Sequence, residues 1–325
     1  MVELPVWLRK HESILDLDRL APAYLIYGRH GLGKKNLINN FASRILCHSN
    51  KQASCNECQS CNLVIENQHP DLQIISREEG KYTISIKQIF SIKDQIYETP
   101  FLGNNKVFII HNLENMVRAA FDPLLKILEE PPKNTYFLMD SNFINRIPST
   151  IRSRSAELEI TLPSDLECRE WLSKSYRENI DLAIELSNNR PFIARDLLNL
   201  NILELRSNFI KDISGIIKSG KDIVSVSEQW IQELETLPLK IEWMSYILVD
   251  SIKHAAASNY AEVLSDSENI TRYLGEKSDV FNLHELLIKT NEIWNLFNGD
   301  TNLRKEYQLQ SLFVDWEKDL GVSNF

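Results

Sequence analysis

The chain has 325 residues, of which 43% are hydrophobic and 25% charged, an ordinary globular balance over a length that calls for two or three domains. Its 36 basic and 45 acidic residues give a formal charge of −9, the wrong sign for a protein that grips phosphate backbones by itself, so any DNA contact is expected to be local or shared with partners. There is no apolar run of about 18 residues to span a membrane, and the opening MVELPVWLRKHES carries Glu3 and no secretory core, so no membrane association is expected and the cytoplasm is the expected address.

AYLIYG, residues 23–28, is a strand-length apolar run that stops at a glycine-containing loop, and a helical pattern follows from Lys34 to about Cys47. Further strand-length runs lie at Leu72 to Ile75, Lys106 to His111 and Thr135 to Met139, with helical stretches between them. Such alternation implies a parallel sheet covered on both faces. Ile86, Ile89, Phe90, Lys93, Ile96 and Tyr97 recur at helical spacing, as do Met116, Val117, Ala120, Leu124, Leu125 and Leu128. Pro123 interrupts the second pattern. An interior proline costs about 3 kcal/mol, whereas Asp122 followed by Pro123 suits an N-cap and first helical position, so a break or kink is expected at Asp122. Beyond LPSD at 162–165, where Ser164 or Asp165 suits a cap, the remainder reads as helices, with stripes such as Ile241, Met244, Leu248 and Ile252.

The loop GRHGLGKK matches GxxxxGK after a strand and before a helix. In that context Gly28, Gly31, Gly33 and the following helix N-terminus can cradle phosphates while Lys34 reaches the outer ones. The Ser or Thr that should follow the lysine and bind Mg²⁺ is Lys35, and KVFIIHNLENM puts His111 where an Asp would help hold the magnesium. Glu114 does not obviously replace it. ATP binding is therefore expected to be absent or weak, with no Mg²⁺-dependent hydrolysis. Cys47, Cys55, Cys58 and Cys61 fall in one short window, with two CxxC steps. In a cytoplasmic protein this favours a closed tetrahedral zinc site with a structural role. Reduced structural thiols, or His48 or His69 replacing one ligand, are the alternatives. Cys168 reads as a half-buried helix residue. TIRSRSAELEI places Arg152 and Arg154 just before a short alternating strand.

Together these residues resemble the delta-prime family of bacterial clamp loaders, AAA+ relatives of the gamma/tau motor subunits. The matching pieces are PVWL near the start, the GxxxxGK loop, the cysteine insertion, HPD at 69–71, EGK at 79–81, LLKILEEPP at 124–132 and SRS at 153–155. TNLRKEYQLQSL near the C-terminus resembles the family's last collar helix. The resemblance implies an α/β AAA+ P-loop domain over 1–163 with a zinc insertion at about 47–61, a small helical lid over 164–205, and an all-α collar over 206–325. It implies a stator in a pentameric ring with gamma/tau and delta subunits, meeting the sliding clamp and primed DNA through the assembly. It also implies a subunit that is non-catalytic by itself, within the DNA polymerase III holoenzyme and its clamp-loading ATPase. Arg154, in the family's serine-arginine-cysteine motif with Ser155 replacing the cysteine, would act in trans on a neighbour's ATP, and Phe192 stands near where a motor subunit places its sensor arginine. The competing readings are a gamma/tau-type ATPase, opposed by Lys35 and His111, and a zinc-containing nucleic-acid-binding module, opposed by the lack of a basic, aromatic-interleaved stripe around the cysteines.

Overall fold

Four apolar runs and the alternating segment after Arg154 form five parallel strands, and the helices between them cover both faces of one sheet. The computed structural model describes residues 4–49, 54–78, 81, 83–219, 221–256, 265–298 and 304–320; Glu79 and Gly80 of the EGK motif and Thr301–Leu303 near the C-terminus lie outside the described residues. The chain divides into two units, Met1–Arg177 with Asn189–Arg195, and Glu178–Asn188 with Asp196–Phe325.

In the first unit α1 (Val6–Arg9) is followed by β1 (Ala23–Tyr27), α2 (Lys34–Leu46), α3 (Gln59–Ile65), β2 (Leu72–Ile75), α4 (Ile86–Tyr97), β3 (Lys106–Ile110), α5 (Arg118–Glu129), β4 (Thr135–Ser141), α6 (Ser149–Arg152), β5 (Ala156–Glu159) and α7 (Asp165–Leu172). The strand order is β2-β3-β4-β1-β5, with every neighbouring pair parallel. Strand alternation sends Leu25, Phe108, Ile110, Phe137 and Met139 to a core shared with α4 and α5. Tyr24, Ile26, Val107, Ile109 and Leu138 go to the opposite core, which Leu37, Ile38 and Phe41 of α2 fill. β4 runs two residues beyond its apolar stretch, because Asp140 and Ser141 stay paired with Ile26 and Tyr27 of β1.

Of the break or kink expected at Asp122, the break does not occur: α5 is continuous from Arg118 to Glu129 with Pro123 inside it. Ala120, Phe121, Leu124, Ile127 and Leu128 are all buried on one face. At about 1.5–3 kcal/mol for each larger apolar side chain, burial on both sides of the proline outweighs its cost of about 3 kcal/mol. Capping boxes start α4, where Ser85 pairs with Gln88, and α7, where Ser164 pairs with Glu167.

The HPD segment is a clasp. The His69 Nδ1 accepts from the Asp71 N–H at 3.0 Å, which leaves Nε2 as the donor to Ser60 Oγ at 2.9 Å, and Ser60 donates on to Leu46 O at 2.6 Å. The buried Asp71 carboxylate accepts from the backbone N–H groups of Phe101 at 2.6 Å and Leu102 at 2.8 Å. One short segment thereby ties α2, α3 and the loop before β3 together.

The second unit holds α8 (Ile180–Ser187), the end of α9 (Pro191–Asn199), α10 (Ile202–Ser219), α11 (Ile223–Gln232), α12 (Leu237–Ala256), α13 (Glu268–Lys277), α14 (Val280–Asn298) and α15 (Lys305–Leu320). Among its described residues there is no strand. Its core centres on Trp230, packed against Phe209 at 5.7 Å and Phe313 at 5.1 Å between ring centroids. The Trp230 indole N–H donates to the buried Asp212 at 2.9 Å, and the buried Arg206 forks onto Asp266 at 2.7 and 2.6 Å. No helix among the described residues is long and apolar enough to cross a membrane.

Truncating Asp71 takes the acceptor from the backbone N–H groups of Phe101 and Leu102, each such charge-assisted bond contributing about 1.5–3 kcal/mol. Asp71→Ala is expected to lower unfolding free energy by about 2–4 kcal/mol, read as a fall in the urea midpoint; an unchanged midpoint removes the clasp.

Candidate functional site

The C-terminal ends of β1, β3 and β4 meet at one edge of the sheet, the edge where parallel α/β sheets bind ligands. β1 delivers the Gly28–Gly33 loop, β3 is followed by His111, and β4 carries Asp140 with Asn142 just beyond it. Gly33 caps α2 at φ +89° and Gly31 lies at φ +87°, left-handed geometry that favours glycine. A Cβ on Gly31 would fall 2.4 Å from Ile193 and one on Gly33 2.5 Å from Phe192. Residues 190–193 therefore lie directly on the loop. The Phe192 N–H donates to Gly31 O at 3.1 Å, and Trp7 of the PVWL segment donates its indole N–H to Leu32 O at 3.0 Å. Phe192, Trp7 and Trp171 form one aromatic cluster, with Trp171 to Phe192 at 4.9 Å and Trp7 to Trp171 at 5.5 Å.

Lys34 is buried, and its ammonium donates to Gly28 O at 2.7 Å, Arg29 O at 3.0 Å and Asn142 Oδ1 at 2.8 Å. An ammonium has three donors, and these three oxygens match them. Burial lowers the Lys34 pKa to about 8, against the raising effect of Asp140 and Glu114, so at neutral pH it is still largely charged. Lys35 is exposed. Where a nucleotidase would organise magnesium, His111 Nδ1 is instead hydrogen-bonded to Asp140 Oδ2, and the second Asp140 oxygen accepts from the Asn112 N–H at 3.1 Å. Glu114 accepts from both the backbone and side-chain amide of Asn142, at 3.0 and 2.9 Å. Asn142 and Asp140 are the members of this edge that sequence reasoning missed.

The sulfurs of Cys47, Cys55, Cys58 and Cys61 all lie within 4.8 Å of one another. Cys47 to Cys55 is 3.6 Å and Cys55 to Cys61 is 3.9 Å, close to the edge of about 3.8 Å expected for thiolates about 2.3 Å from a tetrahedral ion. Backbone N–H groups of Cys55, Cys58 and Cys61 point at Cys47, Cys55 and Cys58 sulfurs, each at 3.4 Å. The backbone N–H groups of Glu57 and Cys58 bring the Cys55 thiol down to about 6, whereas burial pushes Cys61 well above the ordinary thiol range. His69 is turned to Ser60, so the cluster is made by the four cysteines, a possible metal site. Cys168 is fully rather than half buried, and burial raises its thiol to about 12.

Arg154 lies in the turn between α6 and β5. Its Nη2 pairs with Glu129 Oε1 at 2.8 Å, with the two side chains 35% and 49% exposed. Nη1 donates to Thr150 O at 3.0 Å and Ser153 Oγ at 3.3 Å. Arg152, two residues earlier, forks onto Glu157 at 2.8 and 3.2 Å. The two arginines, alike in the sequence, are thus differently committed.

Residues 5–164 match the family model described as DNA polymerase III, delta subunit, and residues 201–318 match the companion model for the C-terminal part of DNA polymerase III delta. DNA polymerase III subunit delta′ of Haemophilus influenzae is 30% identical over 71% of this chain and 71% of its own. That of Pseudomonas aeruginosa is 28% identical over 91% of this chain and 92% of its own. Among solved structures, a DNA polymerase III gamma subunit-related protein from Thermotoga maritima aligns over 96% of this chain and 99% of that one, at 15% identity and a TM-score of 0.49. The parallel sheet between helices, the phosphate loop at its strand ends and the helical remainder make the AAA+ architecture expected from the motifs. With the matches running through both units, the chain belongs to the DNA polymerase III subunit delta′ family.

Proposed function

We propose that the chain serves the DNA polymerase III clamp loader as a stator with no working ATP site of its own, supplying Arg154 in trans to a neighbouring motor subunit while the assembly loads the sliding clamp onto primed DNA. The observation that carries this reading is the state of Lys34. Its three donors already face three protein oxygens, and the neighbouring acids and amides are bonded to one another. A nucleotide would have to displace these contacts and bring magnesium to an edge with Lys35 and His111 at the two metal positions. Arg154 lies at the surface with its charge only partly engaged, as a group offered to another subunit should be. A guanidinium on a γ-phosphate is worth about 10³ to 10⁵ in rate.

On this reading the AAA+ domain spans 1–163, the lid 164–205 and the collar 206–325, in a pentameric cytoplasmic ring with gamma/tau and delta subunits. With a charge of −9, the chain meets DNA through that assembly. Zinc held by Cys47, Cys55, Cys58 and Cys61 would have no open coordination position, so its role is to fix the insertion between α2 and β2.

The purified chain alone is expected to show no MgATP turnover; robust turnover makes it a motor. Lys34→Ala should behave as a core lesion, costing about 2–4 kcal/mol by stranding its buried partners, while loaders assembled with the folded variant keep wild-type ATPase; lost turnover at normal stability assigns Lys34 to catalysis instead. Arg154→Ala is expected to abolish turnover at the one site it completes, leaving the loader assembled and its DNA-stimulated ATPase reduced by that site's share; unchanged activity refutes the finger. Replacing Cys58 and Cys61 with Ser should lower folding yield and bring zinc, measured by atomic emission on the purified protein, well below one ion per chain; normal stoichiometry overturns the metal assignment.

A further inference from the structure

The geometry points to Glu129 as a positioning residue that aims Arg154, an inference that rests on the reading of Arg154 as a group acting in trans. Glu129 is the last residue of α5, and Glu130 follows as its C-cap. A helix C-terminus carries partial negative charge and favours cations, so two carboxylates there run against the local preference. Where a local rule is broken, the reason is sought in what the residue touches. Glu129 touches Arg154, its Oε1 accepting from Nη2 at 2.8 Å.

From the other side Thr150 O and Ser153 Oγ hold Nη1 at 3.0 and 3.3 Å. The guanidinium is thus gripped by two elements at two nitrogens, which sets the plane of the fork before a ligand arrives. These contacts take at most three of the five N–H donors of an arginine and leave at least two for phosphate oxygens. The base of the grip is firm, because Leu124, Ile127 and Leu128 anchor the last turns of α5 in the core beneath the sheet. The grip itself is a solvent-screened ion pair, 35% and 49% exposed, of the kind that adds little to stability. What it supplies is direction, and misplacement of a reacting group by a fraction of an ångström is costly in rate.

The test uses the loader reconstituted with its delta and gamma subunits. Glu129→Ala is expected to remove more than about half of the DNA-stimulated ATP turnover that Arg154→Ala removes, with KM for ATP and the melting temperature unchanged. Glu129→Asp should restore part of that loss, Glu130→Ala should leave turnover at wild type, and adding Glu129→Ala to Arg154→Ala should cost nothing further, since the carboxylate acts only through the guanidinium. Wild-type turnover in Glu129→Ala beside a loss in Arg154→Ala overturns the positioning role and leaves the finger standing. Wild-type turnover in Arg154→Ala overturns both, and additive losses in the double variant show that Glu129 acts by another route.

Discussion

Taking the Lys34 ammonium out of water dictates the rest of the strand-end edge. A buried charge without partners is prohibitively unfavourable, so the fold must bring oxygens to it. Two come from the loop itself, the carbonyls of Gly28 and Arg29, and the third from Asn142 beyond β4. Asn142 can present its oxygen to Lys34 only if its amide N–H groups go elsewhere, and they go to Glu114 and Asn112. Asp140 lends negative charge to the same region while its two oxygens are held by His111 and the Asn112 N–H. The order of the strands makes this possible, since β1 lies beside β4 and β4 beside β3. The edge that could organise a metal and a triphosphate is in this chain largely taken up by internal contacts, with Glu114 Oε2 the one buried oxygen of this group that accepts no hydrogen bond among the described residues.

A second constraint acts on the segment between α2 and β2. Among its described residues the one helix is the seven-residue α3, which buries Ser60, Cys61 and Val64, far too little apolar surface to hold a segment of this length by itself. Two devices compensate. The four cysteine sulfurs gather within 4.8 Å of one another, a possible metal site, and the His69–Ser60–Leu46 chain of hydrogen bonds ties the far end of the insertion back to α2. HPD and the cysteines, which look like separate motifs along the chain, are parts of one fastening.

Four strands were legible because each is a short apolar run with a punctuating loop, and β5 because it alternates; the placement of Lys34 and His111 followed from the strands. The partners of Lys34 were not, because Asn142 is 108 residues away and an Asn, an Asp and a Glu on different connections have no common pattern in the sequence. Pro123 misled for a related reason: a local penalty of known size was weighed without the tertiary burial of Phe121 and Leu124 on either side of it. The spacing singles out Arg152 and Arg154 together, and only the Ser153-Arg154-Ser155 likeness to the family's motif sets Arg154 apart; what separates them physically is which carboxylate each meets, Glu157 nearby in the chain or Glu129 at the end of α5. Composition carries no trace of such pairings.

The persistence of a GxxxxGK loop in a chain without its metal ligands has a physical explanation in packing. Gly31 and Gly33 adopt left-handed conformations and lie so close to Ile193 and Phe192 that any side chain there would overlap them. Leu32 O receives Trp7, Gly31 O receives the Phe192 N–H, and Gly28 O receives Lys34. The backbone groups and the absent side chains that make such a loop a phosphate cradle also let helix and aromatic residues approach it closely. Substituting Gly31 or Gly33 would therefore disrupt the packing against Ile193 and Phe192, and substituting Lys34 would strand the oxygens of Gly28, Arg29 and Asn142, whether or not a nucleotide ever binds. A motif held in place by its neighbours in this way cannot by itself testify to catalysis, and the chemistry has to be argued from Lys35, His111 and the oxygens around Lys34.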